Sequence, residues 1–172
     1  LHDADMELTV DMAMASRSMN RGQSCIAAKR SIVVPQIADE FLRRFKIKVE
    51  ALKTGDPMED TTQIGPMARL DLRDTLHKQI SDSIAQGAVA LTGCNPVERE
   101  GFFYQPSILD QVTADTRAWH EELFGPVAIV IRAASEADAL RIANETRFGL
   151  GSSIWSKDKA RAEQLAAQIQ AG

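Results

Sequence analysis

The chain has 172 residues, 44% of them apolar and 26% charged, a balance that suits one folded domain and excludes a disordered chain. Twenty basic residues against 24 acidic ones leave a net charge of −4, which excludes a strong basic footprint for nucleic acid or an anionic membrane. Apolar runs are short, Val127–Ile131 being typical, so no membrane span is expected. Asp3, Asp5 and Glu7 stand where a secretory leader would need positive charge. Cys25 and Cys94 are too few for a disulfide scaffold, and a reducing cytoplasm is the expected setting. The first residue is Leu1 rather than Met, which raises the expectation of a piece excised from a longer parent.

Asp3 and Asp5 are good helix starts, and Leu8, Met12, Ala15 and Met19 follow at helical spacing until Asn20–Arg21–Gly22. Ser31–Val34 reads as a strand that Pro35 stops. A helix is expected over Ile37–Leu52, with Ile37, Phe41, Phe45, Val49 and Leu52 on one face. Glycines and prolines make Lys53–Pro66 a loop. Leu72, Leu76, Ile80 and Ile84 mark a third helix ending before Gly87. Ala88–Leu91 is a buried-type strand, and Phe102–Leu109, interrupted by Pro106, suits an edge or irregular strand. Val127–Ile131 is the most strand-like run. Ser135 caps a helix through Asn144, Leu150–Trp155 reads as a strand, and Lys157–Ile169 as a last helix. Alternation at both ends predicts an α/β fold with a mostly parallel, twisted sheet flanked by helices.

Three segments carry residues suited to chemistry. In Asn20–Arg21–Gly22–Gln23–Ser24–Cys25 a helix ends, a glycine turns the chain and a thiol follows. Lys29 and Arg30 are placed to favour a thiolate, while the plainer reading makes Cys25 a small buried apolar residue. In His120–Glu121–Glu122–Leu123–Phe124–Gly125–Pro126 a carboxylate pair stands by an aromatic and a Gly-Pro turn. Such a pair binds sugar hydroxyls or acts as acid and base, or is merely a solvated turn. Asn144–Glu145–Thr146–Arg147–Phe148–Gly149–Leu150 reads as helix-end punctuation. His2, His77 and His120 are scattered, none at metal-ligand spacing, so no metal site is expected. Cys94 sits in a turn and is expected to be inert.

In their order, Gly22–Gln23–x–Cys25, Glu121–Glu122–Leu123–Phe124–Gly125–Pro126–Val127 and Asn144–x–Thr146–x–x–Gly149–Leu150 resemble the aldehyde dehydrogenase superfamily. Leu52–Lys53–Thr54–Gly55–Asp56–Pro57, Ile64–Gly65–Pro66, Gly101–Phe102–Phe103–Tyr104–Gln105–Pro106 and the opening Asp3–Ala4–Asp5 agree, so the resemblance spans essentially the whole chain. Gly22–Arg30 is most similar to bacterial succinate-semialdehyde dehydrogenases.

The resemblance implies an aldehyde dehydrogenase-like catalytic domain over residues 1–172, truncated, from a homo-oligomeric parent. It places the nucleophile on Cys25, the grip on the nicotinamide ribose on Glu122, and Phe124 against the cofactor, NAD or NADP. The substrate would be a small aldehyde. The dinucleotide-binding domain, the oxyanion asparagine, the glutamate base and the C-terminal oligomerisation strand would lie outside the chain, leaving it inactive alone. Ser24 stands where some relatives carry a second cysteine. Two other readings compete: a cysteine hydrolase pairing Cys25 with His120, and a non-catalytic interaction fragment.

Overall fold

Short polar side chains start the first and the last two helices of the chain. In the computed structural model, which describes residues 1–172, Asp5 accepts from the Leu8 N–H and opens α1, Met6–Ser18. Ser135 does the same through the Asp138 N–H for α5, Glu136–Asn144, while the Asp138 carboxylate takes the Ala134 N–H. Asp158 caps α6, Lys159–Ala166, through the Arg161 N–H. Asp3 has another task. Its carboxylate accepts from Ser156 Oγ and from the Lys157 and Asp158 N–H groups, and these bonds, the Ser156 one foremost, hold its pKa down to about 2. Pro35 both ends β1, Arg30–Val33, and begins α2, Pro35–Glu50, because its fixed φ and missing N–H suit a first helical position.

The four strands are β1, β2 (Val89–Thr92), β3 (Ser107–Asp110) and β4 (Val127–Arg132). They lie in the order β1-β4-β3-β2, with β1–β4 and β3–β4 parallel and β2–β3 antiparallel. The sheet is therefore mostly parallel, as the α/β pattern predicts. Both faces of β4 are covered. Val127, Ile129 and Ile131 join Leu76 and Ile80 of α3 (Leu70–Ala85), Trp119 of the short α4 (Arg117–His120) and Ile142 of α5. Ala128 and Val130 point the other way, onto Val10 of α1 and Phe41, Phe45 and Val49 of α2. No helix is long and apolar enough to cross a membrane.

Several sequence expectations need correction. The buried-type strand expected over Ala88–Leu91 is β2, an edge strand with Val89 and Ala90 exposed. The Phe102–Leu109 run is no edge strand: β3 begins only after Pro106 and runs fully buried between β4 and β2. Pro106 precedes the ladder, so its missing N–H is not needed there. Leu150–Trp155 forms no ladder, because no strand of this chain lies beside it. On α1, Leu8 and Met12 are exposed, as is Met19 just beyond its end, and the face turned to the core carries Val10 with Met6, Ala13 and Met14 packed nearby.

Phe45 is fully buried and packs its ring 5.2 Å from that of Phe41. Phe45→Ala is expected to lower unfolding free energy by about 3–5 kcal/mol, read as a shifted urea midpoint with unchanged slope.

Candidate active site

Parallel pairing of β1 with β4 decides where the site forms. Arg30 stands opposite Ile129, and the Ile129 N–H donates to the Lys29 carbonyl at 3.1 Å. Neighbouring parallel strands start at the same end of the sheet, so the segments leading into them meet there. The segment before β1 carries Cys25, and the one before β4 carries Glu122 and Phe124.

The cysteine segment is bent by its own backbone. Asn20, Arg21 and Gly22 take left-handed φ values of 47°, 57° and 70° in succession. Two of them carry a Cβ, a conformation that persists only where surroundings impose it. Here the surroundings are close. A Cβ on Gly22 would overlap the Gly125 carbonyl and the Arg17 guanidinium, while the Gly125 N–H donates to the Gly22 carbonyl at 3.1 Å. Gln23 is anchored too, its Oε1 accepting from the Ala68 N–H at 3.0 Å. The chain then makes a tight turn closed by the Ala27 N–H on the Ser24 carbonyl at 3.1 Å, with Cys25 and Ile26 exposed at its tip. The buried apolar reading of Cys25 is thereby excluded.

Lys29 joins the two segments. Its ammonium donates to the Ser24 and Cys25 carbonyls at 3.3 and 3.4 Å, lies 3.3 Å from Glu122 Oε1, and sits 4.6 Å from the centre of the Phe124 ring. The Cys25 main chain, the Glu122 carboxylate and the Phe124 ring thus converge on one cation. Arg30 does not share this role: it donates to the Ile142 carbonyl at 2.9 Å and stacks over Trp119.

The two glutamates divide their work. Glu121 turns toward the helices, accepting from Arg117 Nε and Gln79 Nε2, both at 2.8 Å. The Arg117 bond, foremost, holds its pKa below the usual carboxylate value. Glu122 faces the cysteine segment and stays 30% exposed, open to hydroxyl donors. His120 is not brought to the thiol. Its Nε2 donates to the Ala114 carbonyl at 2.7 Å, and no hydrogen bond links it to Cys25. Cys94 is buried, its Sγ facing the Thr92 and Ile108 carbonyls, and burial pushes its pKa up to about 11. No group of three or more His, Cys, Asp and Glu is placed to hold a metal ion. Asn144 is a clamp, its amide bonding the Gln168 carbonyl and the Gln170 N–H.

Sequence reasoning missed Arg17. Its Nη2 donates to the carbonyls of Gly22 at 2.7 Å, Leu123 at 3.2 Å and Gly125, and its Nη1 to that of Ala28 at 3.4 Å. The available signal was its place on the stripe Val10–Ala13–Met14–Arg17, a charge on a helix face that is otherwise apolar.

Fold and site together place an exposed cysteine on one segment and a partly exposed carboxylate with an aromatic ring on the other, the two segments tied by Lys29. The aldehyde dehydrogenase family model matches residues 1–172, and the chain belongs to that family. It is 45% identical over 172 residues to the succinate semialdehyde dehydrogenase [NAD(P)+] of Escherichia coli (strain K12), covering 100% of this chain and 37% of that protein. It is 43% identical over 169 residues to the succinate-semialdehyde dehydrogenase [NADP(+)] of Mycobacterium avium (strain 104), covering 98% of this chain and 36% of that one. Among solved structures, succinic semialdehyde dehydrogenase from Streptococcus pyogenes in complex with NADP+ superposes with a TM-score of 0.96 at 31% identity, over 100% of this chain and 38% of that one. The chain spans a little over a third of the length of the curated relatives it matches.

Exposure and burial predict unequal thiols. Iodoacetamide at neutral pH is expected to label Cys25 in the folded protein and to reach Cys94 only on unfolding, as read by peptide mass spectrometry. Labelling of Cys94 ahead of Cys25 would contradict this geometry.

Proposed function

We propose that the chain is the thiol-bearing catalytic part of a longer NAD(P)-dependent enzyme that oxidises a small aldehyde to its carboxylic acid. The observation that carries the reading is that the exposed Cys25, by its main chain, meets the Glu122 carboxylate and the Phe124 ring around Lys29. Succinate semialdehyde is the favoured substrate, supported by the names of the relatives and by the Gly22–Arg30 segment. A cytoplasmic setting, which keeps the thiol reduced, and a homo-oligomeric whole protein complete the proposal.

The residues present fit a nicotinamide ribose. A half-exposed carboxylate accepts two hydroxyl hydrogen bonds, which is the task assigned to Glu122. The Phe124 ring, partly exposed beside it, offers a flat apolar wall. When bound, the nicotinamide supplies a hydride acceptor.

Cys25 Sγ, as thiolate, adds to the aldehyde carbon and gives a thiohemiacetal. The turn tip that exposes Cys25 leaves its thiol open to the aldehyde, and the Cys25 N–H is a donor for the oxygen that becomes negative. Loss of hydride from that carbon leaves Cys25 acylated as a thioester. Water then cleaves the thioester, releasing the acid and returning the thiol. The general base for that water, and the asparagine expected to share the oxyanion, are assigned to the rest of the longer protein. The 172 residues alone are therefore expected to show no turnover.

The test is made in the full-length protein. Cys25→Ser is expected to lower aldehyde oxidation by on the order of 10³-fold or more, with the fold and cofactor binding retained, while Cys94→Ser keeps activity. Near-normal turnover in Cys25→Ser would refute the mechanism. Glu122→Gln is expected to raise the cofactor KM or slow hydride transfer by an amount worth about 1.5–3 kcal/mol, the weight of a charge-assisted bond. Unchanged kinetics with both NAD and NADP would leave Glu122 a surface residue only.

A further inference from the structure

Arg17 is 4% exposed, and no carboxylate lies within ion-pair distance of it. A cation drawn out of water ordinarily needs an anion or a set of well-placed acceptors. Here every acceptor is a main-chain carbonyl, and Nε has no partner at all. Burial pushes its pKa down to about 10, which still leaves it charged at neutral pH.

The positions of those carbonyls matter more than their number. Gly22 and Ala28 bracket Cys25 on one segment. Leu123 and Gly125 bracket Phe124, directly after Glu122, on the other. One guanidinium therefore spans both segments, reaching 108 residues along the chain to Gly125. Lys29 ties the same segments nearer the surface, through an ion pair with the partly exposed Glu122 carboxylate. The planar fork of arginine presents donors in several fixed directions, which an ammonium does not.

We propose that Arg17 is a positioning residue that sets the separation between the Cys25 thiol and the Glu122 carboxylate, and so the alignment of aldehyde carbon and cofactor. It touches no reacting atom, and the inference rests on the function proposed above. Displacement of reacting groups by about 1 Å lowers rates about a hundredfold. Slack in this tie therefore reduces kcat while leaving the aldehyde's own contacts in place.

Arg17→Lys and Arg17→Met in the full-length protein test this with two measurements. The first is amide hydrogen exchange, where protection is expected to fall in residues 22–28 and 123–125 while β4 and α2 stay protected. The second is steady-state kinetics with ordinary and C1-deuterated aldehyde. There kcat is expected to fall about 10–100-fold with aldehyde KM little changed, the isotope effect to grow, and Lys to retain more activity than Met. Unchanged exchange and unchanged kcat in the folded variants would overturn the proposal. A loss of rate that merely tracks loss of folded protein, with an unchanged isotope effect, would overturn it too. If Arg17→Met fails to fold, Arg17→Lys decides. If the unaltered protein oxidises no aldehyde, the functional reading fails, and exchange alone then decides whether Arg17 joins the two segments.

Discussion

The Gly22–Gly125 contact is the constraint around which the site is built. Two backbones approach there with no side chain between them, joined by an N–H···O bond and closed from behind by Arg17. That contact holds the left-handed turn at Asn20–Gly22, and the turn presents Cys25. A Cβ at Gly22 would force the two segments apart, and the consequences would reach every residue of the site.

The sheet makes this contact possible. β1 and β4 are parallel neighbours, so the segments entering them come to one edge without any long excursion. β4 is buried on both faces, and its apolar side chains lock it between α1–α2 and α3–α5. A strand held that firmly fixes the Glu121–Pro126 segment ahead of it. Side chains belonging to the helices then refine the position: Gln79 and Arg117 hold Glu121, which leaves Glu122 to face the other way.

Charge around the site is arranged in two depths. Arg17 lies inside, balanced only by carbonyl dipoles, and is geometrically rigid. Lys29 lies nearer the surface, balanced by Glu122 and the Phe124 ring.

The amino-acid order by itself determined most of the elements and the family resemblance. Helix spacing, the caps at Asp5 and Ser135, and the β-branched run of β4 are local signals, and the structure follows them. The Gly-Gln-x-Cys and Glu-Glu-x-Phe-Gly-Pro segments were legible because their residue types and order are distinctive. Tertiary structure alone decided the rest. α1 carries two stripes of apolar residues, and only packing on α2 and the sheet selected Val10 over Leu8 and Met12. Pro106 suggested an edge, yet strand order is a matter of pairing between distant segments, and β3 lies inside. Leu150–Trp155 has the composition of a strand without a neighbour to pair with. Arg17, like the Lys29–Glu122 pair, acts across segments far apart in the chain. No periodicity records such contacts, because they exist only once β1 and β4 lie side by side.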